Sequence, residues 1–272
     1  MTDFDATLAF IPGGSTGIGL AIAKRLAARG ADVAIFARRA ELLAAAAEDI
    51  TRARRRDTQR VMWRQLDVGD AQQVRAVLGA AVAELGVPDV LINCAGRALP
   101  NYFERVTAAQ LEESMRINFY GCWHAISTLL PHMRSRRGYI VNVASLAGLI
   151  GIFGYTDYAA SKFAVVGFSE ALRSELAPDG ITVSVLCPPD TQTPGFEREN
   201  ANKPTETHVL SAGASILTAD EVADALIAGM AKRRFLIIAG REARFGYLLK
   251  RFCPRFANWL MDRQVRRVRA ER

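Results

Sequence analysis

Residues 8–28 have the sequence LAFIPGGSTGIGLAIAKRLAA, which joins three structural signals in a fixed order. Residues 8–11 form a short apolar run, typical of a buried strand, and an apolar-periodic helix ends the stretch. Between them lies a glycine-rich turn made by Gly13, Gly17 and Gly19. In this context the glycines let the backbone approach a pyrophosphate, and the helix N-terminus offers free N–H groups to that anion. A glycine-rich turn without a ligand is the alternative, but its place at the first strand–helix turn favours a nucleotide.

Apolar strands and helices alternate along the rest of the chain, which has 272 residues and 50% hydrophobic content. Several strands are unbroken apolar runs, as expected when helices cover both faces of a sheet. The predicted fold class is α/β: a Rossmann-type doubly wound parallel sheet of about seven strands with helices on both faces. Residues 1–240 form the one predicted domain. The predicted strands are 8–11, 32–36, 61–65, 90–93, 139–143, 182–186 and 235–238, and the predicted helices are 17–28, 40–53, 70–85, 107–133, 156–177 and 219–231.

Ser145, Tyr158 and Lys162 have the chemistry of a proton-transfer site. Tyr158 and Lys162 are four residues apart and share one face of a helix. A free phenol has a pKa of about 10, and an ammonium beside it favours the phenolate and lowers that pKa. The hydroxyl of Ser145, at a neighbouring strand end, could bind the same substrate oxygen. Such a set can give a proton to a carbonyl oxygen while a hydride reaches its carbon; the alternative is a Tyr and a Lys that only share an amphipathic helix.

Taken in order, these motifs resemble the short-chain dehydrogenase/reductase family over about residues 8 to 240. Residues 188–207, PPDTQTPGFERENANKPTET, further resemble the corresponding stretch of a narrower group, the 3-ketodihydrosphingosine reductases. Pro188-Pro189 stands where most of the superfamily has Pro-Gly, which also points to the narrower group. The matching stretches are Gly13 to Gly19, Asp67-Val68, Asn93-Cys94-Ala95-Gly96, Asn118, Ser145, Tyr158 with Lys162, and Pro188-Pro189-Asp190-Thr191.

The resemblance implies a role for each catalytic residue. Tyr158 would donate the proton and Ser145 would hydrogen-bond the carbonyl oxygen. Lys162 would lower the pKa of the phenol and hold the nicotinamide ribose. Asn118 would lie at a bend in its helix and anchor a water that relays protons to Lys162. The predicted catalytic set is therefore Asn118, Ser145, Tyr158 and Lys162.

The resemblance also implies how a dinucleotide is held. Asp67 would contact the adenine, residues 93–96 would line its ribose, and Thr191 and Thr193 would fix the carboxamide. The predicted cofactor-binding set is Gly13, Ser15, Gly17, Ile18, Gly19, Arg38, Asp67, Val68, Asn93, Ala95, Gly96, Tyr158, Lys162, Pro188, Thr191 and Thr193.

The end of the second strand predicts which dinucleotide binds. An NAD site usually places an acidic residue here to hold the ribose 2′-hydroxyl. After the second strand this chain has no acidic residue before Glu41. It offers Arg38 instead, which can pair bidentately with a 2′-phosphate. Ser15 could add a hydrogen bond to that phosphate. The sequence therefore predicts NADPH/NADP+, the alternative being that Arg38 and Arg39 are simply solvated.

Positive charge is concentrated in residues 241–272. That segment has ten Lys and Arg against three Asp and Glu, a net +7, which equals the formal charge of the whole chain. Aromatic and leucine residues interleave with the charges, which suits a membrane interface. Packing on the domain or on a second subunit is the alternative. The segment is predicted to be a basic amphipathic C-terminal extension, and no apolar run reaches the ~18 residues of a membrane span.

The remaining composition narrows the setting and the partners. The four cysteines and three histidines show no metal-ligand spacing, so no metal is expected. Without a signal peptide the chain is expected to be cytoplasmic, with reduced cysteines, and peripheral at the membrane surface if the tail binds there. A nucleic-acid partner is not expected, because an enzyme site occupies the rest of the chain.

The resemblance implies NADPH-dependent reduction of the 3-keto group of 3-ketodihydrosphingosine to dihydrosphingosine, in sphingolipid biosynthesis. Two alternatives stay open: the same chemistry on another lipid-like ketone, such as a steroid or a 3-oxoacyl chain, and a nucleotide-sensing protein without turnover. The catalytic set argues against the latter, since a binding module needs no proton donor. Residues 194–218 are polar and poorly periodic, and are expected to form a substrate lid. Helices 107–133 and 156–177 carry the family's usual dimer face, which implies a dimer or tetramer.

Overall fold

The computed structural model describes residues 4–212 and 215–270. Its strands are β1 (Leu8–Pro12), β2 (Asp32–Ala37), β3 (Val61–Gln65), β4 (Val90–Asn93), β5 (Tyr139–Val143), β6 (Thr182–Cys187), β7 (Thr191–Gln192), β8 (Leu217–Thr218) and β9 (Leu236–Ile238). Seven of them form one sheet in the order β3-β2-β1-β4-β5-β6-β9. Every neighbouring pair in that sheet is parallel. The predicted doubly wound parallel sheet is confirmed.

Helices lie on both faces of this sheet and follow it at the C-terminus. They are α1 (Gly17–Ala27), α2 (Ala40–Arg52), α3 (Ala71–Leu85), α4 (Ala108–Met115), α5 (Gly121–Met133), α6 (Thr156–Leu176), α7 (Pro194–Asn200), α8 (Thr205–Ser211), α9 (Ala219–Ala231), α10 (Arg241–Phe252) and α11 (Pro254–Ala270). No helix in the described part of the chain is long and apolar enough to cross a bilayer.

Successive residues of the central strands face opposite sides of the sheet, which divides the core in two. In β1, Ala9 and Ile11 pack with α1, α2 and α9. Leu8 and Phe10 point the other way and pack with α3, α5 and α6. All residues of β1, β4 and β5 are buried, because helices cover both faces. This explains the unbroken apolar runs from which the strands were predicted.

The predicted single helix over 107–133 is interrupted. A π-helical turn, Arg116–Tyr120, separates α4 from α5. Asn118 lies inside this turn, and its side chain bonds the main chain of Arg97 instead of solvent. A π turn retains helical periodicity on either side, so the apolar pattern could not reveal it, although such turns are frequent at functional sites.

Residues 194–218, which are poorly periodic in sequence, nevertheless contain regular secondary structure. The segment contains α7, α8 and β8, and β8 pairs with β7 in parallel. Thr193 caps α7 by accepting a hydrogen bond from the Phe196 N–H at 3.1 Å, and Pro194 occupies the first turn. Helices of seven residues are too short to give a readable period. Residues 213 and 214 of this segment lie outside the described residues.

The C-terminal extension is helical, and its last turns pack on the domain. Val268 is buried, and α11 lies against α8. Arg269 donates from Nε to Glu206 Oε1 at 3.2 Å and lies over the ring of Phe153. Glu206 is only 1% exposed and also accepts from the Tyr102 hydroxyl at 2.9 Å. The alternative of packing on the domain is therefore correct for the end of α11; Glu271 and Arg272 lie outside the described residues.

Arg269→Ala should loosen α8. The variant removes one partner of the buried Glu206 carboxylate. Because the Arg269 side chain is 59% exposed, we expect the free energy of local unfolding of α8 to fall by about 1 kcal/mol, as for a partly exposed charge-assisted bond. Amide hydrogen exchange across Thr205–Ser211 should become roughly five-fold faster. Arg266→Ala is the matched control, since Arg266 is exposed on the same helix and bonds only its own turn, at Asp262 O, among the described contacts. Equal exchange in the two variants would contradict this role for Arg269.

Candidate active site

The described residues enclose a cavity of about 630 Å³ at the carboxyl edge of the parallel sheet. We call it the main cavity. Its walls come from the segments that follow β1 to β6, the usual place for a ligand in an open α/β sheet. The predicted site residues that line it are Gly13, Ser15, Gly17, Ile18, Gly19, Arg38, Asp67, Val68, Ala95, Gly96, Ser145, Tyr158, Lys162, Pro188, Thr191 and Thr193.

The glycine-rich turn at one end is built for close backbone approach. Gly13 has φ +88°, and a Cβ there would lie 2.3 Å from Ala95 N. A Cβ on Gly19 would lie 2.2 Å from Gly13 O. The N-cap residue of α1, Thr16, does not cap the helix with its side chain, and the first turn of α1 holds no acid. The α1 N-terminus therefore keeps the free N–H groups and positive potential that fit a pyrophosphate.

Polar residues beyond β2 and β3 continue this end of the cavity. Arg38 lines it directly after β2. Asp67 accepts from the Gly69 N–H at 2.9 Å and from Arg116 at 3.2 Å. Burial opposes ionisation of Asp67, but these hydrogen bonds outweigh it and lower its pKa. Arg38 after β2 and the fixed carboxylate of Asp67 after β3 together fit the adenosine half of a dinucleotide.

Tyr158 and Ser145 meet at the other end of the cavity. Burial is the largest influence and raises the pKa of Tyr158; a hydrogen bond from Ser145 opposes it, and the carboxylates of Glu199 and Asp190 raise it further. The net shift of this pKa is upward, and a lowering of it by Lys162 stays a prediction. The phenol is therefore protonated at neutral pH, which is the state a proton donor needs.

Lys162 lies beside the phenol ring. Its Nζ is 5.8 Å from the ring centre of Tyr158 and donates to the carbonyl of Val143 at 2.9 Å. Only 3% of the residue is exposed, and burial lowers the pKa of this ammonium. A Cβ on Gly96 would come within 3.3 Å of Nζ, so the absence of a side chain at Gly96 keeps this approach open.

Two predicted site residues lie behind the cavity wall instead of on it. Asn93 is buried within the sheet and donates to Asn142 at 2.8 Å, so its side chain does not line a ribose site. Asn118 is fully buried and donates to Ser161 at 2.9 Å. Its Oδ1 lies 2.9 Å from Arg97 N. The side-chain amide of Asn118 thus holds the cavity wall in place, and the water relay to Lys162 stays a prediction.

The segment after β6 joins the two ends. Thr191 donates to Pro189 O at 2.8 Å, and the Thr193 hydroxyl is used as the cap of α7. A Cβ on Gly17 would lie 3.0 Å from Thr193 Cγ2, so the glycine-rich turn and this segment are in contact. Contacts of Thr191 or Thr193 with a carboxamide stay a prediction.

Sequence reasoning missed four polar residues near Tyr158. Tyr155, Asp190 and Glu199 line the main cavity, and Lys203 lies directly behind them. The Tyr155 hydroxyl donates to Glu199 Oε1. The one signal was the unusual density of polar residues between 188 and 207, which indicated a functional segment without saying which side chains face inward.

The cysteines near the cavity are not reactive groups. Burial raises the pKa of Cys94 and of Cys187 to about 12 in each case. Both thiols are therefore protonated at neutral pH and fill space. Among the described residues, no group of three or more His, Cys, Asp or Glu is arranged to hold a metal ion.

Comparison with known proteins agrees with this geometry. The protein family described as short chain dehydrogenase matches residues 7–204. A 3-ketodihydrosphingosine reductase of Bos taurus is 38% identical over 241 residues, which cover 88% of this chain and 72% of that protein. A Monensin polyketide synthase putative ketoacyl reductase of Streptomyces virginiae is 38% identical over 201 residues, covering 73% and 76% of the two chains.

A solved structure has the same fold as this chain. A short chain dehydrogenase/reductase from Burkholderia phymatum in complex with NAD superposes with a TM-score of 0.81 and 26% identity, covering 92% of this chain and 95% of that one. Fold, cavity and sequence therefore agree: the chain belongs to the short-chain dehydrogenase/reductase family and is an oxidoreductase that acts on ketone or alcohol groups.

Proposed function

We propose that this chain reduces the 3-keto group of 3-ketodihydrosphingosine to dihydrosphingosine with NADPH, a step of sphingolipid biosynthesis. The observation that carries this proposal is the similarity to the Bos taurus reductase across 88% of the chain. The family match over residues 7–204 includes the glycine-rich turn, the predicted catalytic residues and the start of the polar segment after β6. The Streptomyces virginiae relative keeps a 3-oxoacyl substrate as the second candidate, but that match covers 73% of the chain.

The residues at the inner end of the cavity suit this reaction. A bound nicotinamide would supply the hydride. Tyr158 would give its phenolic proton to the carbonyl oxygen, which the Ser145 hydroxyl would hold in place. Lys162, fixed by the Val143 carbonyl, would stabilise the phenolate left after proton transfer and hold the nicotinamide ribose. Burial keeps the phenol protonated, which is the state that reduction of a ketone requires.

Segment 194–218 fits a substrate lid. Phe196 and Glu199 on α7, and Ser211 at the end of α8, contribute to the cavity wall. The segment is anchored at both ends, by the β7–β8 pair and by the Thr193 cap. A moving α7–α8 unit would admit a long acyl chain and then exclude water.

Exposed aromatic residues on α5, on α6 and in the π-helical turn support a homo-oligomer. Tyr120, Trp123 and Phe163 are each close to half exposed. A cluster of large aromatic side chains at the surface is typical of a subunit interface. We therefore retain a dimer or tetramer as the expected assembly.

Tyr158→Phe keeps the ring and removes only the hydroxyl. We expect turnover with any accepted ketone to fall by at least the ~10²–10⁴-fold that a lost general acid costs, with NADPH affinity nearly unchanged. Steady-state rates and NADPH fluorescence titration measure the two effects. Tyr120→Phe is the control, because Tyr120 is exposed at the protein surface. Near-normal turnover of Tyr158→Phe would reject the proton-donor role.

Arg38→Asp tests the cofactor. The carboxylate would repel a 2′-phosphate and offer an acceptor to the 2′-hydroxyl of NADH. Losing one charge-assisted hydrogen bond costs about 1.5–3 kcal/mol, so kcat/KM for NADPH relative to NADH should fall by roughly one to two decades. Arg75→Asp, at an exposed position of α3 outside the cavity, should leave the ratio unchanged. A wild-type preference for NADH would show that Arg38 has been misread.

We further propose that α10 and the first half of α11 lie on an anionic bilayer surface. Phe245, Leu248 and Phe252 follow one face of α10 and are exposed, as are Phe256 and Trp259 on α11, whose rings stack. Arginines surround them, which is the composition of an interfacial helix. A long-chain ketone resides in bilayers, so this contact would bring the enzyme to its substrate.

Charge reversal at Arg255 and Arg263 should weaken vesicle binding. Both residues are exposed, and at about 1 kcal/mol per cation near an anionic surface, reversing two charges should abolish co-sedimentation with phosphatidylserine vesicles. Arg269 is left unchanged because it bonds Glu206. Reversal of Arg75 and Lys232, exposed outside the extension, changes the net charge equally and should have little effect. If wild-type protein fails to bind these vesicles at low salt, the apolar face serves a subunit contact instead.

A further inference from the structure

A charged group in the main cavity has no part in hydride or proton transfer. Glu199 on α7 lines the cavity, and its Oε1 accepts from the Tyr155 hydroxyl. Lys203 Nζ lies 3.6 Å from the same oxygen and 3.3 Å from Asp190 Oδ2. Two carboxylates share one ammonium, so the group has a net charge of one negative when ionised. Reduction of a simple ketone needs none of these charges.

The positive member of this group is hidden from the cavity. The Lys203 side chain is 1% exposed, and its Nζ lies 4.3 Å from the ring centre of Phe196. Lys203 is absent from the cavity lining, whereas Asp190 and Glu199 belong to it, with side chains 29% and 17% exposed. The contacts described for Glu199 both use Oε1, which leaves Oε2 for another donor. Asp190 and Glu199 therefore make this part of the wall negative, although Arg198 of the same helix also lines the cavity.

This negative wall adjoins the catalytic phenol. The rings of Tyr155 and Tyr158 are 5.7 Å apart, and both line the same cavity. The carboxylates of Glu199 and Asp190 act electrostatically on the Tyr158 phenol. A carbonyl held by Tyr158 would therefore place its neighbouring carbon near these carboxylates. Burial also raises the pKa of Glu199, a cost that a bound cation would offset.

We propose that Glu199, supported by Asp190, binds the ammonium of an α-amino ketone and thereby selects such substrates over long-chain ketones that have no amine. The inference rests on the proposed function, since 3-ketodihydrosphingosine carries an amino group on the carbon next to its ketone. An ammonium there can donate to Oε2 of Glu199 in a charge-assisted hydrogen bond. Tyr155 is then a positioning residue, which fixes the Glu199 carboxylate through Oε1.

The negative charge of Asp190 and Glu199 would also distinguish between the candidate substrates. A steroid ketone and a 3-oxoacyl chain carry no cation beside the ketone, so neither would repay the burial of these carboxylates. A substrate without the ammonium would leave Glu199 Oε2 without a matching donor, and a buried polar atom left without a partner disfavours such a substrate. Glu199 would therefore act on specificity and leave the chemical step to Tyr158.

The test compares two substrates that differ only in the amine. We would measure kcat/KM of the full chain with NADPH for 3-ketodihydrosphingosine and for 1-hydroxyoctadecan-3-one. The wild-type value should be about 10- to 100-fold higher for the amino ketone. Glu199→Gln retains the size and an acceptor for Tyr155, and should remove most of that preference by raising KM for the amino ketone much more than for the amine-free ketone. Glu197→Gln, exposed on the same helix, should alter neither rate.

The other outcomes of this experiment test the role of Glu199 and the proposed function separately. Equal wild-type kcat/KM for the two ketones would overturn the role of Glu199 while leaving the proposed function in place. An equal loss on both ketones in Glu199→Gln would also overturn it, because it would show a structural effect on α7. Failure of the wild-type enzyme to reduce either ketone would instead remove the proposed function itself.

Discussion

The close backbone contact between the turn after β1 and the segment after β4 is the constraint on which the rest of the site depends. At Gly13 a side chain would collide with Ala95 N, and at Gly19 one would collide with Gly13 O. Because β1 and β4 are neighbours where the strand order reverses, this contact sets the crevice at its narrowest point. It points the α1 N-terminus into the cavity and places Gly96 next to Lys162. The glycine-rich turn and the Tyr158–Lys162 pair are thus held next to one another.

Features that depend on local pattern could be predicted from the sequence, and features that depend on long-range pairing could not. The strands were found because helices bury both faces of the sheet, which leaves continuous apolar runs such as that of β5. The extent to which burial raises the pKa of Tyr158 could not be predicted, because it depends on how the whole cavity packs around the phenol. The inward position of Glu199 was missed too, since it follows from a cap at Thr193 and a partner at Tyr155. Asn93 shows the converse: its place in the motif was correct, but its side chain faces Asn142.

The C-terminal extension packs on the domain at its end and exposes an aromatic face before it. Its arginines have different contacts in these two parts. Arg269 is tied to the buried carboxylate of Glu206 on α8 and lies over Phe153. Arg263, two turns earlier, lies over the exposed ring of Trp259. Charge counting alone treats these arginines as equivalent. In the structure one secures the helix next to the cavity while the other belongs to the exposed aromatic face, so mutations in the extension must be chosen by contact and not by charge.

The cavity is electrically polarised along its length, and this polarity would orient the two reactants. Arg38 and the free N–H groups of α1 make one end positive, suited to phosphates. Asp190 and Glu199 place two carboxylates at the other end, where Lys203 lies buried behind them and Arg198 is the neighbouring cation on α7. An anionic cofactor and a cationic substrate would each be repelled from the wrong end, so their reacting atoms meet at Tyr158 between the two. In a site partly shielded from water such opposed fields act strongly, which makes the buried lysine as important for orientation as the charges that face the cavity.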